Sequence, residues 1–328
     1  MRKLRAGVVA LGLLALAGCA DPHREAEAGD AAVTVSSCGQ ELAFETTPER
    51  VVTLDQTSTE TMLALGLGDR LIGTSNLKTK VAPEYQEAYA KVPVLNPKLL
   101  TGEQLRAAAP DLVIASFAAQ YTPDRVGTRE ELAEIGLPSY VSAVECPEGE
   151  ASPFDLLFTD FKVLGEVFGV QDRATALIEE QQAVVDSAAA VGEQATGEPS
   201  ILWLYSSFNG IPYVAGGGTM PSEMSRLVGG VNAFNDVAED WPEVSWERIA
   251  ERDPDVIVVG DLSERGAPGD SAAEKIEQLR AHPVLSQLAA VKNDQIIEVL
   301  GTGMDPSVRA VETLEAVVAG MRELGHVG

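Results

Sequence analysis

Few side chains in this sequence could do chemistry: cysteines at 19, 38 and 146, histidines at 23, 282 and 326, and aromatics that make up only 5% of the chain. Nucleophilic catalysis needs a base beside its nucleophile. His23 sits in a polar acidic stretch, His282 precedes Pro283, and His326 lies at the carboxyl end, so none offers itself as that base. No Gly-x-Ser-x-Gly elbow, phosphate loop or His-Glu-x-x-His pair occurs, and Gly216-Gly217-Gly218 follows no strand-to-helix fingerprint, so it reads as a turn. The chain is therefore not expected to be an enzyme or to carry a cofactor. A bare metal ion would need a cluster of His, Asp and Glu ligands, which these positions do not supply.

Cys19 has its own setting. Arg2, Lys3 and Arg5 precede an apolar run from Ala6 to Ala17, which is too short to span a bilayer and ends in Leu16-Ala17-Gly18-Cys19. This resembles the bacterial lipoprotein signal, in which the cysteine thiol is acylated and becomes the first mature residue. Residues 1–18 are thus expected to be a signal peptide and Cys19 a lipid attachment point. Residues 19–46 would form the anchor and a flexible tether to the cell membrane. Export would place Cys38 and Cys146 where disulfides persist, and the two are expected to pair. Free thiols or a soft metal site compete poorly, because neither cysteine has CxxC spacing or a histidine beside it.

Charge narrows the partners. With 50 acidic against 24 basic side chains, the chain carries a formal net charge of -26, and cleavage of the signal would remove three more cations. So negative a protein is not expected to bind nucleic acid, and its field disfavours polyanionic solutes.

Alternating elements should position whatever site exists. Arg50-Val51-Val52-Thr53-Leu54 reads as a buried strand, with a helix from Ser58 to Leu67 behind it. Further strands are expected at Leu71-Ile72-Gly73, Asp111 to Ala115 and Ser139 to Ser142, with a helix over Thr128 to Ile135. Parallel sheet follows from that order. Phe154, Leu157, Phe158, Phe161, Leu164 and Phe168, then Leu177, Ile178, Val184 and Val185, have helical spacing, so residues 153–191 should be one or two long helices broken near Gly169. A second α/β unit begins at Ser200-Ile201-Leu202-Trp203-Leu204-Tyr205 and ends in an amphipathic helix from Ser307 to Leu324. The fold class is α/β, with lobes at 47–152 and 192–328 joined by the helical segment.

In chain order come Pro48-Glu49-Arg50-Val51-Val52-Thr53-Leu54 with Thr59-Glu60, Leu65-Gly66-Leu67-Gly68-Asp69, Ala109-Pro110-Asp111, Gly229-Gly230-Val231-Asn232, Trp241-Pro242-Glu243 and Asp253-Pro254-Asp255. Motifs in this order resemble those of the solute-binding proteins of bacterial ABC importers for ferric siderophores, haem and cobalamin. The resemblance covers nearly all of residues 48 to 324. It implies two lobes on a rigid helical backbone, an iron–siderophore chelate in the cleft between them, and cobalamin or haem as the alternative ligand. It also implies that the chain works as a monomer that hands its ligand to ABC permease subunits. One acidic residue per lobe meets permease arginines in the family, and the matching positions here are Glu103 and Glu247. Favourable placement at a helix amino terminus is the competing explanation for both.

Loops at the carboxyl ends of the strands are the expected ligand contacts. They supply Asp55, Gln56, Thr57, Phe117, Tyr121, Tyr205, Phe208, Tyr213, Trp241 and Met304, and Arg309 follows on the last helix. Flat side chains suit bulky planar ligands, although core packing competes for each aromatic. Trp241 stands out through its match to a ligand-contacting Trp-Pro pair of the family. Arg125, Arg129 and Arg226 are candidate anion contacts, for which a charge on a solvated helix face is the competing reading.

Overall fold

The computed structural model describes residues 32–147 and 149–328. The expected signal peptide and the lipid attachment at Cys19 lie outside the described residues. Within residues 32–46 the structure departs from a tether. Val33–Ser37 (β1) and Gln40–Phe44 (β2) form an antiparallel hairpin. Its two-residue turn is Cys38-Gly39 with φ of 45° and 77°, the left-handed pair that matches strand twist. Every second residue faces inward, and Val35, Leu42 and Phe44 join the core of the first lobe. Cys38 at this turn is disulfide-bonded to Cys146, with a Cα–Cα distance of 5.6 Å, so the hairpin is fastened to the far end of that lobe.

The first lobe holds Val51–Thr53 (β3), Leu71–Ser75 (β4), Val94–Asn96 (β5), Leu112–Ala115 (β6) and Ser139–Val141 (β7). They pair in the order β5-β4-β3-β6-β7, all parallel. Strands β3, β6 and β7 are buried at every position, as expected for a sheet covered on both faces. Helices Gln56–Ala64, Gly102–Ala108 and Arg129–Glu134 connect the strands.

The second lobe repeats the plan with Ser200–Phe208 (β8), Ile211–Val214 (β9), Val231–Asn232 (β10), Val256–Asp261 (β11) and Ile296–Leu300 (β12). The path β10-β8-β11-β12 is parallel, and β9 folds back on β8 as a hairpin.

Two helices join the lobes, Pro153–Val167 and Gln171–Gly192, interrupted at Gly169 with φ of 66°. The first is a clamp. Phe154, Leu157, Phe158 and Phe161 enter the core of the second lobe, whereas Leu164, Val167 and Phe168 enter that of the first. Burying each such side chain contributes about 1.5–3 kcal/mol, so tilting one lobe away from this helix would expose several at once. Asp160, between the two apolar sets, is buried and accepts hydrogen bonds from Tyr140 Oη at 2.6 Å, Ala143 N at 2.8 Å and the Ser142 hydroxyl.

Candidate functional site

Strand order fixes where a ligand can sit. The chain runs outward from β3 to β4 and β5, then returns to the other side of β3 with β6, so the order reverses between β3 and β6. In the second lobe it reverses between β8 and β11. Loops diverge at such points and leave a crevice at the carboxyl ends of the strands. Asp55 holds the first crevice together: one carboxylate oxygen accepts from Ser58 N at 2.8 Å, capping the following helix, and the other accepts from Ser116 N at 2.7 Å, beyond β6. Burial pushes its pKa up, while these bonds from Ser58 and Ser116 favour the charged form.

Between the lobes lie two adjoining cavities. One, of about 240 Å³, is lined by Asp55, Gln56, Thr57, Lys78, Arg125 and Asp305 among others; the second, of about 300 Å³, includes Glu145, Asp240 and Met304. Phe117 and Trp241 line both. Tyr205 stacks on Trp241 with ring centroids 4.5 Å apart, which builds an aromatic wall on the second lobe facing Phe117 on the first. Phe117, Tyr205 and Trp241 are thus brought together as the sequence anticipated, with Asp55, Gln56 and Thr57 beside them.

Lys78 is the residue that sequence reasoning missed. Its Nζ donates to Tyr205 Oη at 2.7 Å and Asp305 Oδ2 at 2.8 Å, crossing from the first lobe to the second. The ammonium also lies 5.5 Å from the Phe117 ring centre and 5.2 Å from that of Tyr205, within cation–π range. Burial works against the charge, but the Asp305 carboxylate and the Tyr205 hydroxyl outweigh it and hold the pKa above the ordinary lysine value. Gln56 shapes the segment: its Oε1 accepts from Lys78 N at 2.9 Å and Thr79 N at 2.8 Å. Two residues on, Lys80 N donates to Glu264 Oε2 of the second lobe at 2.7 Å.

Glycine explains how Trp241 is placed. A Cβ on Gly216 would lie 1.9 Å from Glu239 O, and one on Gly217 would lie 2.3 Å from Asn235 O. Gly216 N donates to Asp240 O at 2.9 Å and Gly217 N to Val237 O at 2.7 Å, so the triple glycine lets two backbones touch just before Trp241. The expected turn is present at Gly217-Gly218, and it doubles as a close-approach segment.

Glu103 and Glu247 occupy equivalent positions in their lobes. Each is the exposed second residue of a seven-residue helix, Gly102–Ala108 or Trp246–Arg252, capped by Thr101 or Ser245. Both helices end in a left-handed residue, Ala109 or Asp253, followed by Pro-Asp. The Asp of that motif then accepts backbone N–H bonds at the start of the neighbouring strand: Asp111 from Glu49 and Arg50, Asp255 from Ser200.

Four expected contacts belong elsewhere. Tyr121 is core, its hydroxyl donating to Tyr140 O at 2.7 Å, because a buried phenol must find an acceptor. Phe208 is 53% exposed at the tip of the β8–β9 hairpin and lines neither cavity. Tyr213 turns its hydroxyl to Glu243 across a bridge from β9. Met304, although fully buried in the second core, lines the larger cavity as expected. Arg309 is engaged by Glu60 at 3.8 Å and Glu312 at 3.7 Å, so it ties the lobes together and does not reach into the cleft. Arg125, a candidate anion contact, lines the smaller cavity, its Nη1 donating to Ala119 O at 2.6 Å.

The model of the family described as "Periplasmic binding protein" matches residues 51–300. The chain belongs to this family. Its members bind solutes and are not enzymes, and they work outside the cytoplasm with the permeases of ABC importers. This binding protein is similar to a periplasmic binding protein from Veillonella parvula, at a TM-score of 0.77 and 24% identity over 89% of this chain and 98% of the other. It is also similar to a structure titled as an ABC-type Fe3+-hydroxamate transport system from Saccharomonospora viridis, at a TM-score of 0.73 and 28% identity over 89% of this chain and 99% of that one. Among curated sequences it is 29% identical over 212 residues to the vitamin B12-binding protein of Yersinia pseudotuberculosis, covering 64% of this chain and 69% of the relative. Among the described residues of the binding protein, no group of three or more metal-ligating side chains converges and no helix is long and apolar enough to cross a membrane.

Proposed function

We propose that the protein captures a ferric siderophore in the inter-lobe cleft and delivers it, as a lipid-anchored monomer, to the permease of an ABC importer. The observation that carries this reading is the aromatic cleft itself, with Phe117 opposite the stacked Tyr205 and Trp241. Such walls suit a bulky, largely apolar chelate whose metal ligands come from the chelator, which agrees with the lack of a converging ligand cluster among the described residues. Likeness over 89% of the chain to the Fe3+-hydroxamate structure supports a hydroxamate over a polyanionic catecholate, as does the net charge of -26.

Tryptophan fluorescence tests it. Ferric hydroxamates should quench Trp241 with tighter binding than ferric catecholates, cobalamin or haem, and the signal should vanish in Trp241→Phe. Cobalamin is the second reading, favoured by the B12-binding relative; saturation by cobalamin alone would establish it and end the first.

Glu103 and Glu247 are the proposed docking contacts and Cys19 the proposed lipid site. Reversing both acids to lysine should abolish transport by the cognate importer, and unchanged transport would sink that role. Cys19→Ser should move the protein from the membrane to the soluble fraction.

A further inference from the structure

The inter-lobe cleft has two unlike ends. Lys78 and Arg125 line the smaller cavity, whereas Glu145 and Asp240 line the larger, and Phe117 and Trp241 line both. Asp55 and Asp305 line the smaller cavity as well, Asp305 paired with Lys78 and Asp55 holding Ser58 N and Ser116 N, so acids and bases balance at that end.

At the acidic end the balance is different. Glu145 comes from the first lobe and Asp240 from the second, so that end exists only where the lobes meet. No Lys, Arg or His appears among the residues lining the larger cavity. Burial pushes the Glu145 carboxyl up, its bond from Ala118 N opposes this, and the charges of Asp240 and Asp55 push it further. Like charges held across a partly dry gap disfavour their own ionised forms, and a bound cation relieves that cost.

We propose that the physiological ligand is an iron chelate with one free cationic arm, its neutral chelating core beside Lys78 and Arg125 and the arm between Glu145 and Asp240. The proposal rests on the reading of the ligand as a ferric siderophore and deepens it by naming its charge pattern. Orientation follows, because of the two cavities only the larger presents acids with no balancing cation to a free ammonium.

The test compares three iron-loaded trihydroxamates that share one chelating core: desferrioxamine B, which ends in an ammonium; its N-acetyl derivative, which is neutral there; and its N-succinyl derivative, which is anionic. Fluorescence titration should give about fivefold tighter binding of the ammonium form than the acetyl form, with the succinyl form weaker again. Asp240→Asn and Glu145→Gln should each bring the ammonium-to-acetyl ratio toward one. Glu277→Gln removes an equal charge from an exposed helix position and should leave the ratio intact, which separates a local contact from the long-range field. Arg125→Gln should weaken all three chelates without reordering them. Equal binding of the ammonium and acetyl forms overturns the proposal while leaving the siderophore reading in place, and so does a ratio that survives both acid substitutions or falls as far in Glu277→Gln. If none of the three chelates binds, the hydroxamate reading and this proposal fall together.

Discussion

Replacing Asp160 with Asn should stabilise the protein at neutral pH, by an amount that depends on pH. Burial raises the Asp160 pKa from 3.8 to about 6, against the opposing hydrogen bonds from Ser142, Tyr140 and Ala143. Below the unfolded value both states carry the proton and the site adds no pH dependence. Between the two values the folded state binds more protons than the unfolded one, so stability falls as pH rises, and the loss is complete once pH passes the folded value. At 1.36 kcal/mol per tenfold change in proton affinity, the span amounts to about 3 kcal/mol. Asn fits the pocket as the protonated acid does. Its oxygen can accept from Tyr140 Oη and Ala143 N, and its amide can donate to Ser142 Oγ, replacing the contacts Asp160 makes now. Urea unfolding followed by far-UV circular dichroism at pH 4, 5, 6 and 7 reads the difference between variant and parent. That difference should be near zero at pH 4 and grow toward about 3 kcal/mol in favour of Asn at pH 7. Parallel pH profiles for the two proteins would refute the assignment of the perturbed carboxyl to Asp160.

Removing the disulfide as Cys38→Ser with Cys146→Ser frees a loop with a sequence separation of 108, which should cost about 4.7 kcal/mol in the chain-entropy account, read by urea unfolding. Lys78→Met leaves Asp305 buried without its cation and should destabilise by about 3 kcal/mol; the double variant with Asp305→Asn should recover most of this, and failure to recover would show that Lys78 acts through packing. Gly216→Ala forces a Cβ against Glu239 O, displaces the backbone leading to Trp241, and should weaken ligand binding about tenfold, or about 1.4 kcal/mol, in a fluorescence titration.

Periodicity made the lobes and their connection legible, because the apolar run that follows Asp111 to Ala115 and the helical spacing from Phe154 to Phe168 are imposed by burial on both faces or on one stripe. The hairpin at 33–44 carried the same kind of signal, alternation around Cys38-Gly39, but adjoined a small, acidic segment and was absorbed into the tether. Strands as short as β5 and β10 leave no periodic trace. The site was half legible for another reason: strand-end rules locate a loop but say nothing about which way its side chains turn. Phe117 and Tyr121, four residues apart, went to the cavity and the core respectively. Lys78 gave no local signal because its partners, Tyr205 and Asp305, lie 127 and 227 residues away.

These long-range partners also determine how the cleft can respond to a ligand. The lobes are fastened behind the cavities by the clamp helix and the Arg309–Glu60 pair, and at the cleft by Lys78 with Tyr205 and Asp305 and by Lys80 with Glu264. The rear fastenings are buried, so breaking them would expose phenylalanine side chains or strand the buried Glu60 carboxylate. The front ones are polar and reach water, with a quarter of the Lys78 side chain and most of the Lys80 side chain exposed. Water can replace the exposed Lys80–Glu264 bonds at small cost, whereas it cannot replace apolar packing, and withdrawing Lys78 would leave the buried Asp305 without its cation. Adjustment to an incoming chelate therefore falls first on Lys80, which can swing away from Glu264 while Lys78, the lobes, Phe117 and Trp241 keep their spacing.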